Sequence, residues 1–168
     1  MKKSMLTILI GGFVFGSVLN ANGQVKLPEI EVTAVNYKYL SSTTKEEVSE
    51  PVRTIRYEAA AYDVKESPFY EDEYDYYHIS FFIPEGKILA SYDKEGNLLR
   101  TAEKFSNVQL PKAVERAVAK RFPNWTISKD VYLVTYNDAK GTNKRYKLLL
   151  ENDDKRMKVR IDEKGNFM

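Results

Sequence analysis

YKLLLENDDKRMKVRIDEKGNFM, residues Tyr146–Met168, aligns without a gap with YHISFFIPEGKILASYDKEGNLL, residues Tyr77–Leu99, at an offset of 69. Tyr77 matches Tyr146, and Asp93, Gly96 and Asn97 match Asp162, Gly165 and Asn166. Apolar positions match as well: Ile79 with Leu148, Phe81 with Leu150, Ile88 with Met157, Ala90 with Val159, Tyr92 with Ile161. Such self-similarity points to an internal repeat and governs the whole fold assignment. Within each stretch, apolar residues alternate with polar ones. Met157, Val159 and Ile161 interleave with Lys158, Arg160 and Asp162, which is the period-two signature of a half-buried strand. Pro84-Glu85-Gly86 and Asn152-Asp153-Asp154 read as hairpin turns between strands. Asp93-Lys94-Glu95-Gly96 and Asp162-Glu163-Lys164-Gly165 read as tighter turns. Glycine supplies positive φ there, and the aspartate can accept from the turn amides.

A helix precedes the second stretch. Pro111 is preset for a first turn, Ala113, Val114, Ala117, Val118 and Phe122 fall on one helical face, and Pro123-Asn124 stops the run. Trp125–Tyr136 is strand-like, with Val131 and Leu133 on one side and Tyr132, Val134 and Tyr136 on the other. Val52, Ile55, Ala59 and Tyr62 have helical spacing after Pro51, so a helix is expected before the first stretch too. The organisation expected is a segment 1–23, an N-terminal arm 24–50, a first unit 51–101 and a second unit 102–168, with a linker over Thr101–Gln109. Within the arm, Glu29–Tyr39 reads as an edge strand and Ser41–Glu50 as a polar, mobile stretch.

Residues 1–23 have the pattern of a cleaved signal peptide. Lys2 and Lys3 precede an apolar run from Met5 to Leu19, and Ala21-Asn22-Gly23 fits a small-x-small cleavage site. Export to the periplasm or the medium is therefore expected, with no membrane span after cleavage. The full chain of 168 residues carries 26 Lys/Arg against 24 Asp/Glu, and the excess of two is Lys2 and Lys3. The remaining chain is neutral, so no global charge favours nucleic acid. It is nevertheless polarised. Residues 24–100 hold 9 bases and 15 acids, and residues 101–168 hold 15 bases and 9 acids. The absence of cysteine rules out a disulfide framework, a thiolate nucleophile, a thiolate metal site and a lipidated lipoprotein cysteine.

Leu110-Pro111-Lys112-Ala113-Val114, Phe122-Pro123-Asn124-Trp125 and Asp162-Glu163-Lys164-Gly165, with Tyr92-Asp93-Lys94-Glu95-Gly96 repeating the last pattern, resemble the PepSY-like family, also described as β-lactamase-inhibitor-protein-like. The resemblance covers about residues 50–168, and the Asn-Gly-Gln after the apolar run is reminiscent of Bacteroidetes exports. It implies an α+β fold of tandem units, forming an antiparallel sheet with helices packed on one face. It also implies an exported protein that binds or inhibits. It brings no catalytic residue and no cofactor.

Chemistry-bearing residues are few. His78 is the only histidine, so it alone could serve as the base of a Ser-His-Asp site, and no GxSxG turn accompanies it. The run Glu71-Asp72-Glu73-Tyr74-Asp75 is either a solvated acidic loop or an acidic contact for a basic partner. A hydrolase using these carboxylates is the enzymatic alternative. The D-x-x-G turns lack alternating calcium ligands, and no metal site or cofactor motif is present. Lys112, Arg116 and Lys120 form a stripe on the polar face of the helix.

If Ile79/Phe81, Leu148/Leu150, Met157/Val159/Ile161 and Val131/Leu133 face the helices, parity puts His78, Phe82, Leu89, Tyr132, Val134, Tyr136, Lys147, Leu149, Lys158 and Arg160 on the open face. Tyr132, Tyr136, Phe82, His78, Lys158 and Arg160 are then the candidate binding residues, with Glu71, Asp72, Glu73 and Asp75 as an acidic patch. Ordinary cross-strand packing on a solvated sheet is the competing reading. The expected activity is non-enzymatic engagement of a protein or peptide partner in the envelope or medium. A structural or accessory part of an envelope assembly is the other alternative, prompted by a TonB-box-like look at Leu27–Ala34.

Overall fold

The alternating stretches form a six-stranded antiparallel sheet in the computed structural model, which describes residues 36–44 and 48–168. The strands are β1 (Tyr76–Ile83), β2 (Gly86–Asp93), β3 (Leu98–Ser106), β4 (Thr126–Asn137), β5 (Gly141–Asn152) and β6 (Lys155–Asp162). They pair in sequence order, each with the next, so β1 and β6 are the edges among the described strands. The described residues also form three helices: α1 (Tyr37–Thr43), α2 (Glu50–Ala61) and α3 (Lys112–Arg121). One buried cluster draws on all three helices and all six strands, including Tyr39, Ile55, Val118, Tyr92, Phe105 and Leu150. Its strand members share one sheet face by parity, so the helices cover that face, and no described element covers the other, the open face.

The two D-x-x-G turns are built alike. Asp93 Oδ1 accepts from the amides of Glu95 and Asn97 at 3.1 and 2.8 Å, and Asp162 Oδ1 accepts from Lys164 and Asn166 at 2.9 and 2.8 Å. Each partner asparagine returns a side-chain bond of 2.8 Å. Gly96 and Gly165 sit at φ of 89° and 90°, where a side chain would be strained. Val52, Ile55 and Ala59 are fully buried along α2, as their helical spacing predicts.

Three expectations change. The stretch read as a linker from Thr101 is strand β3 as far as Ser106, and it pairs with both β2 and β4. The 101/102 boundary therefore falls inside a strand of one continuous sheet. Tyr37–Tyr39, read as part of an edge strand, and Ser41–Thr43, read as mobile, are helix α1. The physical reason is that Tyr39, Leu40 and Thr43 lie on one helical face and fill the core, which outweighs the local alternation of aromatics. The expectations for residues 1–35, the signal peptide and the TonB-box-like segment among them, lie outside the described residues. The third change concerns the faces of β4.

Candidate functional site: the open sheet face

Tyr132, Val134 and Tyr136 are 1–3% exposed and face the helices, so Val131 and Leu133 point to the open side. The expected parity of β4 is reversed, and Tyr132 and Tyr136 do not lie on the open face. Both sides of this strand carry apolar residues, so alternation alone leaves its sense undetermined. Tertiary chemistry decides it. Tyr132 stacks on Tyr146 with ring centroids 4.7 Å apart, and Tyr136 meets Tyr39 edge-on at 5.3 Å. Burial pushes the Tyr136 hydroxyl up to about 12, reinforced by Asp138, to which it donates at 3.3 Å.

Tyr39 and Tyr132 line a buried ionic cluster that the sequence reading missed. Arg56 of α2 and Glu103 of β3 form an ion pair at 2.8 Å with both side chains fully buried. Arg56 Nε donates to Glu103 Oε2 at 2.9 Å, and its Nη1 donates to the Thr43 carbonyl at 2.7 Å. Tyr39 and Thr101 hydroxyls donate to Glu103 Oε1 at 2.8 and 3.0 Å. The guanidinium carbon stands 5.8 Å from the Phe105 ring centre and 5.7 Å from that of Tyr132. Burial works against the Arg56 charge, yet the neighbouring Glu103 carboxylate raises its pKa overall. Burial, and then Glu103, hold the Tyr39 hydroxyl well above its ordinary range. The available signal was positional. Arg56 falls within the apolar stripe Val52-Ile55-Ala59, and Glu103 has the core-side parity of Thr101 and Phe105.

The open face itself can be read from the register. One row runs His78, Ser91, Arg100 across β1 to β3. His78 Nδ1 is 2.9 Å from Ser91 Oγ, and Arg100 Nε donates to the same oxygen at 3.4 Å. A catalytic triad needs a third group to orient the imidazole. Among the described residues no carboxylate bonds His78, and Arg100 lies beside the serine instead. Further along, Phe82 pairs with Lys87 and Leu89 with Ser80, and both apolar side chains are solvent-facing, at 69% and 43% exposure.

Lys158 and Arg160 lie on this face at the other edge, in two adjacent rows. Val131, Lys147 and Arg160 face one another across β4, β5 and β6, and Lys129, Leu149 and Lys158 form the next row. Directly opposed side chains stand about 5 Å apart at Cβ. The six line a shallow groove of about 490 Å³, with four exposed cations around a half-buried Val131 and Leu149. Among the described residues none of the four cations has an ion-pair partner.

Glu71, Asp72, Glu73 and Asp75 are exposed in the loop before β1, away from this groove. The loop is held in place: the Tyr77 hydroxyl donates to the Glu71 carbonyl at 2.5 Å, and Tyr70 and Tyr74 pack on the Tyr77 ring at 5.5 and 6.3 Å. Among the described residues no group of three or more His, Asp or Glu side chains is placed to hold a metal. No described helix is long and apolar enough to cross a membrane.

No family model and no curated protein matches the chain. Solved structures do. A BLIP-like protein from Bacteroides fragilis is 20% identical, with a TM-score of 0.32 over 58% of this chain and 68% of that one. A DUF2874 family protein from Bacteroides uniformis is 10% identical, with a TM-score of 0.35 over 80% of this chain and 83% of that one. Another, from Bacteroides ovatus, is 12% identical, with a TM-score of 0.34 over 80% and 82%. What the molecule offers a partner is set by its own surface.

Proposed function

We propose that the chain is an exported, non-enzymatic binding module that engages a protein or peptide through the open sheet face. One observation carries this reading. All three described helices gather on one side of the sheet, and the other side presents solvent-facing Phe82 and Leu89 on β1 and β2 and, towards the opposite edge, the cations of β4–β6, with no described element covering either. Apolar anchors surrounded by charge suit protein recognition better than they suit a small-molecule site, which is normally concave and enclosed. No reaction is assigned to the His78–Ser91 pair or to the acidic loop: among the described residues no acid orients the pair, and the loop is exposed.

The test is affinity capture from envelope extracts and culture medium, comparing the native chain with Phe82→Ala/Leu89→Ala and with Lys158→Glu/Arg160→Glu. Loss of the captured partner with unchanged thermal unfolding is the expected result. Retention of the same partner by both variants would overturn the assignment to this face.

A further inference from the structure

We propose that the groove over β4–β6 receives the acidic loop of a second copy of this chain, so that molecules associate head to tail. The two surfaces are complementary in charge and in form. The groove presents Lys129, Lys147, Lys158 and Arg160 around Val131 and Leu149. The loop presents Glu71, Asp72, Glu73 and Asp75 with an exposed Phe69 and Tyr74. A carboxylate-rich segment carrying two aromatic side chains matches a cationic rim with an apolar floor.

Geometry forbids the contact within one molecule. The loop enters the sheet at edge strand β1, whereas the groove spans β4 to the opposite edge strand β6. Four strand spacings separate β1 from β5, about 19 Å. That exceeds the reach of a screened contact at physiological salt, about 8 Å. The acidic loop and the cationic groove can therefore meet only between molecules.

The loop also needs little ordering to dock. Besides its bond to Tyr77, it contains backbone bonds from Tyr70 to the Ser67 carbonyl and from Tyr74 to the Glu71 carbonyl, both 3.1 Å. A pinned segment loses less conformational entropy on binding than a free one. The contact is heterologous: a docked pair still presents one free loop and one free groove, so association continues beyond a dimer unless it closes into a ring.

The proposal concerns the isolated chain and is independent of any foreign partner, so its failure leaves the binding-module reading standing. Sedimentation velocity of the protein at about 20 mM and about 300 mM salt is expected to show concentration-dependent oligomers at low salt that dissociate at high salt. Two variants then define the surfaces. Glu71→Lys/Asp72→Lys/Glu73→Lys/Asp75→Lys reverses the loop, and Lys129→Glu/Lys147→Glu/Lys158→Glu/Arg160→Glu reverses the groove. Each alone is expected to be monomeric. Mixed, they have two possible contacts: the native loop of one with the native groove of the other, and the two reversed surfaces with each other. Heteroassociation of the mixture is the expected result.

A peptide spanning Glu66–Tyr76, titrated onto the native chain, tests the groove without relying on the folding of a variant. Its affinity is expected to fall about tenfold or more between the two salt concentrations. A native chain that stays monomeric at low salt up to millimolar concentration overturns the proposal. So does equal binding of a scrambled peptide of the same composition.

Discussion

Replacing Arg56 by methionine should destabilise the protein by about 3–5 kcal/mol, the usual cost of leaving one member of a buried ion pair alone. The structure explains the size of the effect. Glu103 would keep only the Tyr39 and Thr101 hydroxyls, and its charge would lie in a pocket walled by Phe105 and Tyr132. The Thr43 carbonyl would lose its donor as well. Glu103→Gln should cost a similar amount, since the Arg56 guanidinium would then be buried without a counter-charge.

The double variant Arg56→Met/Glu103→Gln removes both charges. The glutamine oxygen still accepts from Tyr39, so the remaining costs are those of neutral groups, the orphaned Thr43 carbonyl and a glutamine amide without an acceptor, each smaller than that of an unpaired buried charge. The double variant should therefore be more stable than either single one. Urea titration followed by far-UV circular dichroism and by the single Trp125 measures all four corners of the cycle. Each single variant should lower Tm by about 10 °C, taking roughly 2–4 °C per kcal/mol for a domain of this size. Single variants within about 0.5 kcal/mol of the native chain, or a double variant as costly as the sum of the singles, would refute the reasoning.

Two further outcomes follow from named groups. Burial raises the hydroxyl pKa of Tyr39 and Tyr92, and that of Tyr136 to about 12, so these groups favour the folded state while they stay protonated. Their contribution is complete below the unfolded tyrosine pKa of about 10 and is lost as pH rises from there towards 12. Phenolate absorbance should accordingly rise together with loss of circular dichroism in that window, and ionisation of these tyrosines in a still-folded chain would contradict it. Gly96→Ala and Gly165→Ala both place a side chain at positive φ, costing about 1–2 kcal/mol. Gly165→Ala should cost more in urea titration, because its Cβ would lie 2.9 Å from the Ala113 carbonyl oxygen while Gly96 faces open space.

Much of the fold was legible in local pattern. Alternation located the strands at Ile79–Ile83, Tyr146–Leu150 and Met157–Ile161, because one face of each packs on the core and the other is wetter. The aspartate-glycine turns were equally plain, since positive φ and amide capture are properties of a few neighbouring residues. The candidate surface was legible only in part. Phe82, His78, Lys158 and Arg160 lie on the open face, whereas Tyr132 and Tyr136 do not. Lys129, Lys147 and Leu149 join Lys158 only through register between strands that the sequence does not align by itself.

The amino-acid sequence by itself determined the period of each segment, the turns between strands and the unequal division of charge along the chain. Those depend on residues a few positions apart. Only the tertiary structure decided which side of β4 is inside, because both of its sides are apolar and the choice rests on stacking with Tyr146 and Tyr39. It also decided that Arg56 and Glu103, 47 residues apart, are one buried pair. Finally, it placed the acidic loop and the cationic groove towards opposite edges of one sheet, too far apart to neutralise each other within a single molecule.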